Sequence, residues 1–388
     1  MVVMLVLPMV LGVYARYRAE SQRQWEAVRA IQAAKGHFGS EVDGNWKTDD
    51  KLQDPPMWQR WLGIDCPSCR GVYVVVQHND ARTIAFHLTQ LRSLESVQLW
   101  AWDVDDNDLL AISKIPHLTL LRVTSKRHSD VGVSHFANNK TLESFYFSDD
   151  NLTGQGLAVI TKLPQLKRLE WSSKQIVDRD LMILRGNSQL TLVSIDGTTA
   201  TDIGIGYLST CENLEEIDIY GPCTLTSDGI KSLARLKKLK HLVFFKSPLP
   251  ADRVVAISHL SGLESFVWST PLLPDELALL AQMTSLKNLS LYGTKLDGEG
   301  LKHLSALKNL ENLNTRMEGL KDDDMELLGS FSKIQGLNLN ESAVTDDGLM
   351  KLAGMKRLRF LNVFSTQVTR EGMSKFKRLA PNVDLRGP

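Results

Sequence analysis

Apolar side chains recur along most of this chain in fixed phase. Leu94, Leu118, Leu142, Leu166, Leu190, Leu214, Leu239, Leu263, Leu286, Leu310, Ile334 and Leu358 each open a short segment of the form L-x-x-L-x-L. These residues stand 24 apart, save a step of 25 into Leu239 and one of 23 into Leu286. The position three residues later is apolar in every copy, from Val97 to Leu361, and the position five later is apolar except at Thr315. Such alternation turns both positions onto one face of a short strand and leaves the residues between them pointing outward.

A second pattern follows each strand. Asp105, Ser129, Thr153, Thr201, Thr226, Asp297, Thr345 and Thr369 supply a side-chain oxygen where a helix has to begin, to satisfy its first unpaired N–H groups. About three residues on, a glycine and an aliphatic residue recur, as in Gly132-Val133, Gly204-Ile205 and Gly348-Leu349. We read the glycine as room for the helix backbone to approach the strand layer. A strand and a helix of this length cannot bury their apolar faces alone, so each copy depends on its neighbours, and the chain is expected to be an α/β solenoid of about 12 repeats.

The segments Ser342-Ala343-Val344-Thr345-Asp346-Asp347-Gly348-Leu349 and Thr366-Gln367-Val368-Thr369-Arg370-Glu371-Gly372-Met373 carry the pattern most clearly. They resemble the leucine-rich repeat family, in the subtype that reads T-x-V-T-D-x-G-L between strand and helix, and the resemblance extends to membrane-associated bacterial members. It covers about three quarters of the chain. It implies parallel strands on a concave face, helices on a convex face, and binding rather than catalysis. Pro248, Pro250, Pro271 and Pro274 depart from the pattern, so the helices of those two repeats are expected to start differently or be short. Pro381 to Leu385 reads as a last strand that closes the ladder.

Three regions follow. Residues 1–15 carry no charge and are rich in Val, Leu and Met, with Arg16, Arg18 and Arg23 just beyond. A membrane anchor is the preferred reading, although a helix of that length, roughly 22 Å, falls short of the hydrocarbon core. A cleaved secretory signal ending at Val13-Tyr14-Ala15 and a buried start of a soluble domain remain open, as does the side of the membrane the body faces. Residues 16–92 read as a juxtamembrane helix near Gln24–Lys35, a Trp-bearing helix at Met57–Leu62 and a first strand at Val72–Gln77, together a cap over the first repeat. Residues 93–388 are the repeat domain with its short C-terminal cap.

Composition narrows the chemistry. Lys plus Arg equals Asp plus Glu at 45 each, which gives no global field for nucleic acid. Cys66-Pro67-Ser68-Cys69 is a lone C-x-x-C. It is compatible with a local disulfide or plain cap thiols, and less so with redox catalysis or half of a metal site, since no second pair or spaced histidine completes it. Asp103, Asp105 and Asn107 begin like a calcium loop, but Asp108 and Lys114 stand where glycine and glutamate are required. No phosphate loop, H-E-x-x-H or G-x-S-x-G elbow occurs, so no enzyme, cofactor or metal is expected.

Function then rests on outward strand positions. Trp100, Tyr220, Phe245, Tyr292 and Phe364 share one of them and Tyr146 another, and exposed aromatics in a row are the side chains that anchor interfaces. His241, Asn288, Asn314, Arg316 and Asn338 extend the row into a mixed polar surface. A protein or peptide partner is the preferred reading. A redox or metal protein built on Cys66 and Cys69, or a secreted glycan or cell-wall binder, is the alternative.

Overall fold

The computed structural model describes residues 19, 22–33, 36–42, 45–48, 71–76, 81–91, 93–101, 103–246 and 252–387. The segment 1–15, the Trp-bearing stretch Met57–Leu62, Cys66, Cys69, Pro248 and Pro250 lie outside them. The chain divides into two compact units, 1–175 and 176–388.

In the first unit a helix over 22–33 buries Trp25, Val28 and Ile31, the side read from the sequence. Its sheet runs in the order β2 (Asn45–Thr48), β1 (Gly36–Val42), β3 (Gly71–Val76), β4 (Ser96–Ala101), β5 (Leu120–Thr124), β6 (Ser144–Ser148) and β7 (Arg168–Ser172). The strands from β3 onward are parallel, whereas β1 is antiparallel to both β2 and β3. The Val-rich segment is therefore the third strand and not the first. Gly36 and Gly39 both lie within β1, and the hairpin of β1 and β2 pairs with the open edge of β3, a covering that an exposed sheet edge requires.

The second unit holds β8 (Leu192–Asp196), β9 (Glu216–Tyr220), β10 (His241–Phe245), β11 (Ser265–Trp268), β12 (Asn288–Lys295), β13 (Asn312–Arg316), β14 (Gly336–Asn338), β15 (Phe360–Asn362) and β16 (Asp384–Arg386). They lie side by side in sequence order, all parallel, and a short helix returns the chain after each strand but the last. Burial alternates along nearly every strand, with Phe244, Phe266 and Trp268 among the largest fully buried side chains.

The T-x-V-T-D-x-G-L motif now has a physical account. Each cap hydroxyl accepts from its own helix, as Thr201 does from Ile203 N and Thr345 from Asp347 N. The same cap is gripped by a carboxylate of the preceding repeat. Asp106, Asp130, Asp178, Asp202, Asp322 and Asp346 each accept the backbone N–H of the next cap at 2.8–2.9 Å through one oxygen. The other oxygen takes the cap hydroxyl at 2.5–2.8 Å. These charge-assisted pairs fix the stacking register. The recurring glycine also changes meaning: a Cβ at Gly204, Gly229, Gly348 or Gly372 would collide with the clamping carboxylate, so the glycine makes room for the aspartate rather than for the strand layer alone.

The proline-bearing repeats start differently, as expected. The helix Arg253–Ser258 has no side-chain cap. The helix Pro274–Leu280 begins on proline, whose missing N–H costs nothing in the first turn, and Glu276 accepts from Leu273 N at 2.7 Å.

Candidate partner-binding strand face

The strand face opposite the helices has different chemistry in the two units. In the first, Arg122 on β5 reaches across β6 to Glu170 on β7, its Nη2 donating to both carboxylate oxygens at 3.0 Å. The guanidinium carbon lies 4.6 Å from the centre of the Tyr146 ring beneath it, within cation–π range. Tyr146, read as an anchor for a partner, thus already has a cation on its face. Trp100, on β4, is 41 % exposed.

In the second unit the aromatics come together. Tyr220 and Phe245 have ring centres 6.0 Å apart at 53°, and Phe245 meets Tyr292 edge-to-face at 5.8 Å and 84°. Tyr292 still presents nearly half of its surface to solvent. His241 is half-buried on β10, in register with Glu216 and Ser265. Phe364 is exposed just after β15 and does not join the row.

Beside Tyr292 the face turns polar. Asn312 donates to Asn288 at 2.6 Å, and Asn314 donates to the Tyr292 hydroxyl at 3.3 Å. A cleft of about 210 Å³ opens there, lined by Tyr292, Asn314, Arg316, Glu318, Asn338, Asn340 and Glu341 among others. Lys295 and Arg316 both pair with Glu318, at 2.9 and 3.3 Å, and the Lys295 hydrogen bond holds its carboxyl below the usual range. Glu341 accepts only from the amide of Asn340, at 3.4 Å, and has no ion-pair partner among the described residues. Of the residues chosen from the sequence, Tyr292, Asn314, Arg316 and Asn338 line this cleft and Asn288 lies outside its lining, while Glu318 and Glu341 were not among those chosen.

A signal for Glu341 was present in the repeat itself. Seven residues after the opening leucine, the backbone of Gly197, Gly221 and Gly293 is left-handed, with φ of +80°, +139° and +86°. Lys246, Glu341 and Ser365 hold the same position at +61°, +64° and +54°. Three non-glycine residues thus occupy a corner suited to glycine, each immediately after an outward residue of the strand face.

Among the described residues no helix is long and apolar enough to cross a membrane, and no group of His, Cys, Asp and Glu is placed to hold a metal ion.

No protein-family model matches the chain, and no curated protein matches it. Solved structures do resemble it. An internalin, InlF, of Listeria monocytogenes aligns at 15 % identity over 93 % of this chain and 93 % of its own, with a TM-score of 0.48. A leucine-rich-repeat protein of Leptospira interrogans aligns at 17 % identity over 78 % of this chain and 87 % of its own, with a TM-score of 0.43. The structure of the yeast Rad7 and Elc1 complex contributes a chain at 18 % identity, over 78 % of this chain and 81 % of that one, with a TM-score of 0.49. None of these likenesses carries a partner or an activity across. In each unit strand and helix alternate in a repeat of about 24 residues with the repeat strands in parallel register, and about 12 such repeats along the chain give it the α/β fold of a leucine-rich-repeat solenoid.

Proposed function

We propose that the protein is a non-enzymatic binding scaffold whose second-unit strand face engages another protein. The observation that carries this reading is the aromatic row Tyr220, Phe245 and Tyr292, in ring-to-ring contact and continuous with a polar cleft. Aromatic side chains supply contact area at low entropic cost, and a neighbouring rim of amides and charges supplies direction. The first-unit face, with its arginine and glutamate engaged to each other over Tyr146, acts as spacing rather than as the main contact. Placing a photo-crosslinking phenylalanine analogue at Phe245 in the source cells tests it. A discrete protein adduct that disappears when the analogue is moved to Phe86, on the helix side, is the expected result. Equal labelling from both positions would remove the case for this face.

The apolar segment 1–15, followed by Arg16, Arg18 and Arg23, supports a second element of the reading, a membrane tether for the scaffold. Full-length chain is expected in the membrane pellet and a chain lacking residues 1–15 in the supernatant. Identical fractionation of the two would discard the tether.

A further inference from the structure

We infer that the outer side of the last repeat docks on an anionic phospholipid surface, with Lys356, Arg357, Lys377 and Arg378 meeting the phosphates and Leu379 entering the acyl boundary. This goes beyond the strand face and the segment 1–15 and depends on neither.

The last repeat is not shaped to receive another. Asp322 and Asp346 clamp the caps of the repeats that follow them, whereas Arg370 stands at that position in the last helix, Arg370–Leu379. Seven residues on, Ser305, Gly329 and Ala353 hold a place that the next helix approaches closely, with Lys351 O only 3.4 Å from where a Cβ on Gly329 would sit. Lys377 holds that place in the last helix and is exposed. A further repeat, or a second copy stacked as one, would meet a cation instead of a clamp and a lysine instead of packing space.

The apolar tip of this helix is the second argument. Two residues beyond the small position, Leu307, Phe331 and Met355 are buried in the three preceding repeats. Leu379 is the corresponding residue of the last repeat and is 64 % exposed, with Pro381 exposed beside it. A side chain that the repeat pattern assigns to the core is thus presented outward.

Charge decides what it is presented to. The whole chain is neutral, but residues 349–388 hold nine lysines and arginines against two acids, Glu371 and Asp384. Those acids pair with Lys375 and Arg386, at 2.9 and 3.0 Å. No acid occurs over 348–370 or 372–383. Lys356 and Arg357, on the turn before β15, and Lys377 and Arg378, in the last turn of the helix, are all exposed and have no ion-pair partner among the described residues. The helix dipole rewards cations in a last turn, but it gives no reason for an exposed leucine among them. Nucleic acid or an acidic protein would answer the charge alone. An anionic bilayer answers both, with phosphates at its surface and an apolar layer beneath.

The test places a dansyl amino acid at Leu379 in the full-length chain, where it reports its own surroundings whether or not the segment 1–15 holds the chain to lipid. Its emission is expected to shift to the blue with vesicles of phosphatidylcholine and phosphatidylglycerol, and not with phosphatidylcholine alone. The same probe at Phe86 should not respond. Salt should weaken the response, and Lys377→Gln and Arg378→Gln should each lower the docking constant about fivefold, the effect of one cation near an anionic surface. Lys377→Arg should leave it unchanged. Melting temperatures of these variants should match the wild type, since the side chains are exposed. An equal shift on neutral vesicles, no shift on either, or a shift indifferent to the glutamine variants overturns the inference. Duplex DNA bound as tightly as the anionic vesicles overturns it in favour of a nucleic-acid surface. A blue shift that grows with protein concentration in the absence of lipid overturns it in favour of a second copy of the chain.

Discussion

The first unit lays a charge pair over the aromatic of its strand face, whereas the second leaves its aromatics open beside a polar cleft. In the first, Arg122 and Glu170 satisfy each other across Tyr146, and His128 and Asp149 are both buried. In the second, Asn314, Asn338 and Glu341 face a cleft that their own neighbours do not fill. Both faces are built on the same strand spacing and the same alternation. What separates them is the span of the pairing: Arg122 and Glu170 join across two strands and lie over the aromatic between them, whereas the pairs of the second unit join adjacent repeats and leave Tyr292 open, so the binding properties of a strand face are set by pairing between repeats and not by the composition of any one repeat.

The largest expected consequence is that acid opens the first unit before the second. His128 is fully buried, edge-on to Phe147 at 5.0 Å, with Nδ1 3.5 Å from Asp149 and without hydrogen-bond geometry. Burial pushes its pKa down to about 4, against the partial opposing influence of Asp106. Unfolded histidine takes a proton near 6.5, so between these values the unfolded state binds more protons and stability falls as the pH falls. The loss reaches about 3 kcal/mol by the lower end of that window. Burial raises the carboxyl of Asp149, which acts in the opposite sense at the acid end and returns part of the loss. Hydrogen exchange across pH 7 to 4 should show peptides around residues 120–150 opening first, and His128→Leu should flatten that dependence. Simultaneous opening of both units would end the contrast on this point.

Binding should break the symmetry next. Tyr292→Ala is expected to weaken a protein partner by about 2 kcal/mol, the scale of a central aromatic anchor, whereas Tyr146→Ala should leave affinity within about 0.5 kcal/mol. Titration calorimetry with the protein captured at Phe245 would measure both. Equal losses would mean that the cation over Tyr146 does not withhold it from a partner.

Removing one member of the internal pair sharpens the difference from the other side. Glu170→Ala leaves Arg122, two-thirds covered, without its carboxylate and should lower stability by about 1 to 2 kcal/mol, between the values for surface and buried pairs. Lys295→Ala, which removes an exposed cation from a Glu318 that keeps Arg316, should cost less than about 0.5 kcal/mol. Chemical denaturation of both variants decides the matter, and equal costs would show that the two faces are not differently committed.

Much of this was legible from the chain. The 24-residue period, the inward positions and the capping residues are local or strictly periodic, and the structure keeps them, including the altered starts at Arg253 and Pro274. What was not legible depends on which repeat touches which. The clamp from Asp346 to Thr369 spans 23 residues and becomes visible only once the helices are stacked, and with it the reason for Gly372. Arg122 and Glu170 are 48 residues apart and two strands removed. The hairpin Gly36–Val42 with Asn45–Thr48 was hidden because its glycines break the alternation that announces a strand. At the candidate face, the aromatic row could be read from phase, whereas the pairing of Lys295 with Glu318 joins adjacent repeats and carries no such signal.

The smallest expected effect concerns the corners of the second unit. Lys246 and Glu341 hold the left-handed backbone that Gly197, Gly221 and Gly293 hold at the same repeat position. Glycine relieves the steric cost of that conformation but gives back part of the gain through the greater freedom of the unfolded chain. Lys246→Gly and Glu341→Gly are therefore each expected to stabilise by about 0.5 to 1 kcal/mol, read as a shift in denaturation midpoint at constant slope. Their effects on binding should diverge. Lys246 places its ammonium 5.9 Å from the Phe245 ring, a contact at the outer limit of cation–π attraction, so its loss should leave affinity nearly unchanged. Glu341→Gly should stabilise the fold while weakening the protein partner, because the strained corner then serves to present the carboxylate and not to hold the repeat together. Stabilisation with unaltered binding in both variants would reduce these corners to tolerated irregularities of the repeat.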